Sequence, residues 1–117
     1  MLFLCYNVGM ELTEQKCVAC EGGVTPFNEI EAEVLLKQVP GWELSLDGKT
    51  ISKKYQWKDF VEALAFVNKV GALAQSEGHH PDIHIVDYKF VELDLSTHAI
   101  GGLSQNDFIL AAKIDQK

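Results

Sequence analysis

From residue 27 onward, hydrophobic and polar positions alternate with two clear periods. Ile30, Val34, Leu35 and Val39 recur at helical spacing, which predicts a helix from about Phe27, stopped by Pro40-Gly41. Asn28 or Thr25 can cap it, and Glu29, Glu31 and Glu33 favour its positive end. Trp42 to Leu46 then alternates strictly, Asp47-Gly48 is a hairpin turn, and a return strand runs from about Thr50 to Gln56. Residues 58–77 read as one long helix. Phe60, Leu64, Val67, Gly71 and Ala74 form its stripe, widened by Val61, Ala63, Phe66, Val70 and Leu73. A helix this apolar lies across something, most simply a sheet, and Gly78 ends it where a left-handed cap is needed. Ile83 to Val86 reads as a strand, followed by a tight turn near Asp87-Tyr88. From Phe90 to Thr97, Val91, Leu93 and Leu95 face one way and Glu92, Asp94 and Ser96 the other. After a glycine-containing loop at 99–103, Ser104 and Asp107 start a last helix as a capping box, with Phe108, Ile109, Ala112 and Ile114 as its apolar side.

The predicted order is α-β-β-α-β-β-α, with both strand pairs as hairpins. The fold class this implies is α+β: a four-stranded antiparallel sheet with three helices on one face. Residues 1–26 are different. Their periodicity is weak and they end in Gly22-Gly23-Val24-Thr25-Pro26. They are expected to form an N-terminal extension and arm, partly flexible, with residues 1–9 adding little to the fold. Residues 27–117 are expected to form a single domain.

Composition changes the picture only at its edges. At 117 residues, 47% hydrophobic and 23% charged, the chain has an ordinary globular balance. Its net charge of -7 argues against direct nucleic-acid binding and against an anionic membrane surface. No stretch approaches the roughly 18 apolar residues of a membrane helix. Three cysteines, Cys5, Cys17 and Cys20, and a start without a basic region point to a reducing, cytoplasmic setting.

The chemistry concentrates in the histidines. His79, His80, His84 and His98 all fall in the second half. Histidine can take and give a proton near neutral pH. His79 and His80 follow a helix end and precede Pro81, which fixes the backbone; His98 ends the last strand. If the last two strands pair as a hairpin, His79 and His80 meet His98 at one edge of the sheet. His84, inside a strand, reads as a bystander. A metal site is disfavoured, because adjacent histidine rings diverge and Glu77 is the one nearby carboxylate that would complete a set. Cys17-Val18-Ala19-Cys20 lacks the second pair of a zinc ribbon and the strand and helix of a redox motif, so it reads as two ordinary thiols. Gly101-Gly102 reads as a tight turn. The chain is therefore expected to be a small soluble enzyme domain working by proton transfer.

The run Glu77-Gly78-His79-His80-Pro81-Asp82-Ile83 resembles the signature of the pterin-4a-carbinolamine dehydratases. So do Leu95-Ser96-Thr97-His98, Gly101-Gly102-Leu103-Ser104 and Asp107-Phe108-Ile109-Leu110-Ala111; Gly41-Trp42 and residues 60–68 resemble the family's first strand and central helix. The resemblance covers about residues 12–115 and implies the same α+β architecture. It implies dehydration of a 4a-hydroxytetrahydropterin to the quinonoid dihydropterin, recycling the cofactor of aromatic amino-acid hydroxylases. It implies no metal and no organic cofactor. His79, His80 and His98 would be catalytic; Glu77, Pro81 and Asp107 would serve the bound pterin, Asp107 by orienting a histidine. The implied partner is the pterin itself, within a homodimer or homotetramer. Alternatives are a non-catalytic regulatory or coactivator protein, or action on a molybdopterin-related pterin. The chain departs from the family pattern at Gln75, where an acidic residue is common, and at Tyr88-Lys89-Phe90.

Overall fold

The computed structural model describes residues 11–18 and 25–117. The expectations for residues 1–9, and for Cys5 and Cys20, lie outside them.

Three α-helices, α1 (Glu29–Leu36), α2 (Phe60–Glu77) and α3 (Gln105–Ile114), accompany four strands, β1 (Glu43–Leu44), β2 (Ile51–Gln56), β3 (Asp82–Val86) and β4 (Phe90–Leu95). The sheet order is β1-β2-β4-β3 and every neighbouring pair is antiparallel. The architecture is the α+β sheet-and-helix layer that the periodicities predict.

Strand alternation decides which face is covered. Ile51, Val91, Leu93 and Leu95 are buried on the helix side, while Ser52, Lys54, Glu92 and Asp94 alternate with them on the outer face. From α2, Ala63, Phe66, Val70 and Ala74 pack inward. Phe66 sits between Tyr55 and Trp57, with ring centroids 4.7 and 4.8 Å away. Helix α3 is buried almost all round, from Gln105 to Ala111 and again at Ile114. It is the hydrophobic centre of the molecule, and burial of a side chain such as Phe108 contributes roughly 1.5–3 kcal/mol.

The inward stripes differ from the expected ones in two helices. In α1 the buried residues are Ala32 and Leu35, followed by Val39, whereas Ile30 and Val34 point outward. The small Ala32 allows close approach and turns the larger side chains to the opposite face. In α2, Phe60, Val61 and Leu64 are likewise exposed. The first strand is shorter than expected. Trp42 is instead buried with its Nε1 donating to Asp115, and the Ser45 hydroxyl accepts the N–H groups of Lys49 and Thr50, which closes the turn early.

Residues 11–18, expected as a poorly ordered arm, lie against α3. A 3₁₀ turn at Leu12–Glu14 leads into this segment, and Leu12, Gln15 and Cys17 are buried. Its ties mix the buried side chains of Leu12, Gln15 and Cys17 with the backbone groups of Cys17 and Val18, so no helical or strand period announces them.

Candidate active site

The cap of α2 aims the first histidine. Gly78 adopts φ 68°, the left-handed conformation, and the His79 N–H then donates to the Ala74 carbonyl across the helix end. Gly78 thereby ties His79 to a fixed direction at the start of the chain leading to β3. Continuing the β3–β4 register from Asp82↔Asp94 sets His79 and His80 beside Thr97 and Ser96. His98 opens a 3₁₀ turn, His98–Ile100, closed by a bridge between Thr97 and Gly102. The hairpin thus brings the three histidines together, as the sequence implies. They line one open cleft of about 310 Å³ with Thr97, Asn106 and Val18.

Behind the cleft lies a buried carboxylate. Asp107 is fully buried in the first turn of α3, and a buried charge must be supplied with donors. One oxygen accepts from the Ser104 N–H at 3.0 Å and from the Thr97 hydroxyl at 2.8 Å. The Ser104 hydroxyl, 2.7 Å from the Thr97 oxygen, must then donate to it. The other carboxylate oxygen lies 2.6 Å from His79 Nε2. An ionised Asp107 can only accept, so Nε2 carries the proton and Nδ1 is the nitrogen left uncommitted to it. The capping box of α3 is also the device that orients His79.

The other histidines are held more loosely. His80 Nε2 lies 3.0 Å from Gln75 Oε1, so the residue that departs from the family pattern contacts a site histidine. His98 is exposed at the cleft edge. His84 sits on the outer sheet face, 3.5 Å from Asp94.

Glu77 and Pro81 are not among the lining residues. The Glu77 carboxylate pairs with Lys113 at 2.7 Å and accepts the Cys17 N–H at 2.9 Å. Burial pushes its pKa up, but the bonds from Lys113 and Cys17 and the nearby lysine charges outweigh this and hold it below its ordinary value. The Cys17 thiol is pushed up to about 12, first by burial and then by the Glu77 charge, so it stays protonated and unreactive near neutral pH. Among the described residues, no group of three or more His, Cys, Asp or Glu is arranged to hold a metal ion, and no helix is long and apolar enough to cross a membrane.

Sequence reasoning missed four contributors. Thr97 continues the inward alternation of Val91, Leu93 and Leu95 as a polar residue, which is a readable signal. Asn106 is one of three buried polar residues, Gln105-Asn106-Asp107, in the first turn of α3, and the sequence does not single it out from its neighbours. Gln75 stands out in the sequence only as a departure from the family pattern, and Val18 carries no signal.

Comparison with known proteins supplies the wider frame. Residues 25–117 match the family model described as pterin 4 alpha carbinolamine dehydratase. A Halorhodospira halophila protein named for the same family is 47% identical over 106 residues, covering 91% of this chain and 96% of its own. The mitochondrial pterin-4-alpha-carbinolamine dehydratase 2 of Arabidopsis thaliana is 44% identical over 109 residues, covering 91% of this chain and 58% of its own. A Brucella melitensis structure titled transcriptional coactivator/pterin dehydratase matches with TM-score 0.73 and 26% identity, over 79% of this chain and 97% of that one. A pterin dehydratase-like protein, described as a RuBisCO assembly factor, shares the fold alone at TM-score 0.56 and 21% identity, over 65% of this chain and 87% of that one.

Proposed function

The chain belongs to the pterin 4 alpha carbinolamine dehydratase family, and from that premise we propose that it dehydrates 4a-hydroxytetrahydrobiopterin to the quinonoid dihydropterin, in tetrahydrobiopterin recycling. The observation that carries the reading is the pairing of His79 with a fully buried Asp107, on a cleft that His80 and His98 share.

The reaction needs two proton movements. The 4a-hydroxyl must gain a proton to leave as water, and N5 must lose one as the C4a–N5 double bond forms. Two histidines on one cleft suit this division, since each can act as acid or base near neutrality. Asp107 stabilises a charged His79 and selects its tautomer, the role a buried carboxylate takes behind a working imidazole. His98 works from the other side and His80 positions or shares the transfer. Pro81 fixes the backbone after the two histidines, and Glu77 serves the pterin from behind the lining. The cleft volume lies at the lower end of the range for small-molecule sites, roughly 300–1,000 Å³. Self-association into a homodimer or homotetramer and a cytoplasmic setting belong to the same reading.

The test is a coupled assay with the hydroxytetrahydropterin generated in situ. Wild-type protein should accelerate dehydration, and His79→Ala or His98→Ala should slow it about 10²–10⁴-fold with the fold intact by circular dichroism. An unchanged rate in either variant refutes that histidine's role. A second reading, a regulatory protein that keeps the fold, is favoured by the coactivator title of the Brucella structure. Absence of any acceleration by the wild type would select it.

A further inference from the structure

Gln15 to Val18 lead up to the histidine cleft, which Val18 lines, and several side chains tie them down. Asn106 binds both sides of one peptide position: its Oδ1 accepts the Val18 N–H at 3.0 Å and its Nδ2 donates to the Val18 carbonyl. A carboxamide used this way replaces the neighbouring strand that an extended segment otherwise needs. One residue earlier, Glu77 accepts the Cys17 N–H, and its second oxygen is anchored by Lys113. Lys16 Nζ donates to the Ser76 carbonyl at 3.0 Å, and the Cys17 thiol donates to the Asn106 carbonyl. These ties come from the end of α2, whose cap leads directly into His79, and from the start of α3, which carries Asp107.

The result is a clamped segment whose last described residue is not buried. Val18 is 43% exposed and lines the cleft with the histidines. Among the described residues of this segment, Val18 is the one that the clamp holds on the cleft lining rather than in the core.

We propose that Gln15–Val18 is a fixed wall of the substrate cleft, in which Val18 is a specificity-determining contact to the flat apolar surface of the pterin and Glu77 and Asn106 are positioning residues that hold it. The proposal rests on the dehydratase reading. It gives Glu77 a role in pterin binding that acts through the backbone of Cys17 rather than by touching the ligand.

The experiment measures turnover and, separately, equilibrium binding of 7,8-dihydrobiopterin by calorimetry. Val18→Ala should raise both KM and Kd roughly tenfold, the scale of one lost apolar contact, with kcat within about twofold and an unshifted pH profile. Glu77→Gln weakens the clamp, so it should raise KM. It should also speed labelling of Cys17 by a thiol reagent in a Cys5→Ser, Cys20→Ser background. Unchanged KM and Kd in Val18→Ala overturn the proposal, as does a fall in kcat with KM unchanged. Wild-type protein that binds the dihydropterin without turnover would overturn the dehydratase reading alone; the wall would then be judged by Kd. Wild-type protein that binds no pterin overturns both.

Discussion

Both oxygens of Asp107 are committed: one to the Ser104 N–H and the Thr97 hydroxyl, and the other to His79. Asp107→Asn is therefore informative. The carbonyl oxygen of asparagine must keep the Ser104 and Thr97 side, because both are donors there. Its NH₂ then faces His79 Nε2, which must become an acceptor, and the ring proton moves to Nδ1. The fold loses one charge-assisted bond, about 1–3 kcal/mol, while the imidazole turns to the wrong tautomer. We expect kcat to fall on the order of 10²-fold or more, with KM changed far less, and ¹⁵N imidazole shifts to report the exchanged tautomer. A kcat near wild type would show that the Asp107–His79 contact is only structural. The capping box that holds Asp107 is legible in the sequence, as Ser104 followed by Asp107. Its bond to His79 is not, because a contact between residues so far apart in the chain depends on how α3 docks against the end of α2.

The helix end at Gly78 is where local backbone chemistry sets the direction of the site. A Cβ there would meet nothing within 4 Å, so the cost of Gly78→Ala is conformational alone. The left-handed φ of 68° penalises alanine by about 1–2 kcal/mol, offset in part by the lower chain entropy of the unfolded variant. A loss of about 1 kcal/mol in urea unfolding should follow, and no loss would mean that the cap relaxes freely. This signal was readable because a glycine after an apolar helical run has one common explanation. The inward stripes were less readable. In α1, counting large side chains picks Ile30 and Val34, but packing selects the face on which Ala32 permits close approach. In α2 the main stripe begins at Phe60 and Leu64, which are exposed, whereas Ala63, Phe66 and Val70 of the widened stripe are buried. The pairing of β2 with β4 at the sheet centre is also absent from local pattern, since two hairpins can be laid together in more than one order.

At the scale of the whole molecule, the misplaced stripe residues gain a use. Phe60, Val61 and Leu64 expose 48%, 74% and 41% of their surface on one end of α2, in a chain of otherwise ordinary polarity. They are the candidate contact for the proposed self-association. Under the proposed self-association, Val61→Glu should shift the wild-type oligomer to a smaller species by light scattering, and an unchanged mass would exclude this face. Stability against pH should in turn report the docked N-terminal segment. The Cys17 thiol has an ordinary value of 9.0 and is held at about 12 in the fold, by burial first and by the Glu77 charge second. Between those values the folded chain keeps a proton that the unfolded chain has given up. The contribution is therefore whole below pH 9 and is lost as pH rises through about 12. Other groups titrate in this range, Tyr55 among them, so the difference from Cys17→Ala isolates the thiol. Wild-type stability should fall more steeply than that of Cys17→Ala above pH 9, with parallel curves below it. Parallel curves throughout would mean that Cys17 is solvated in solution and that the segment beside the cleft is undocked.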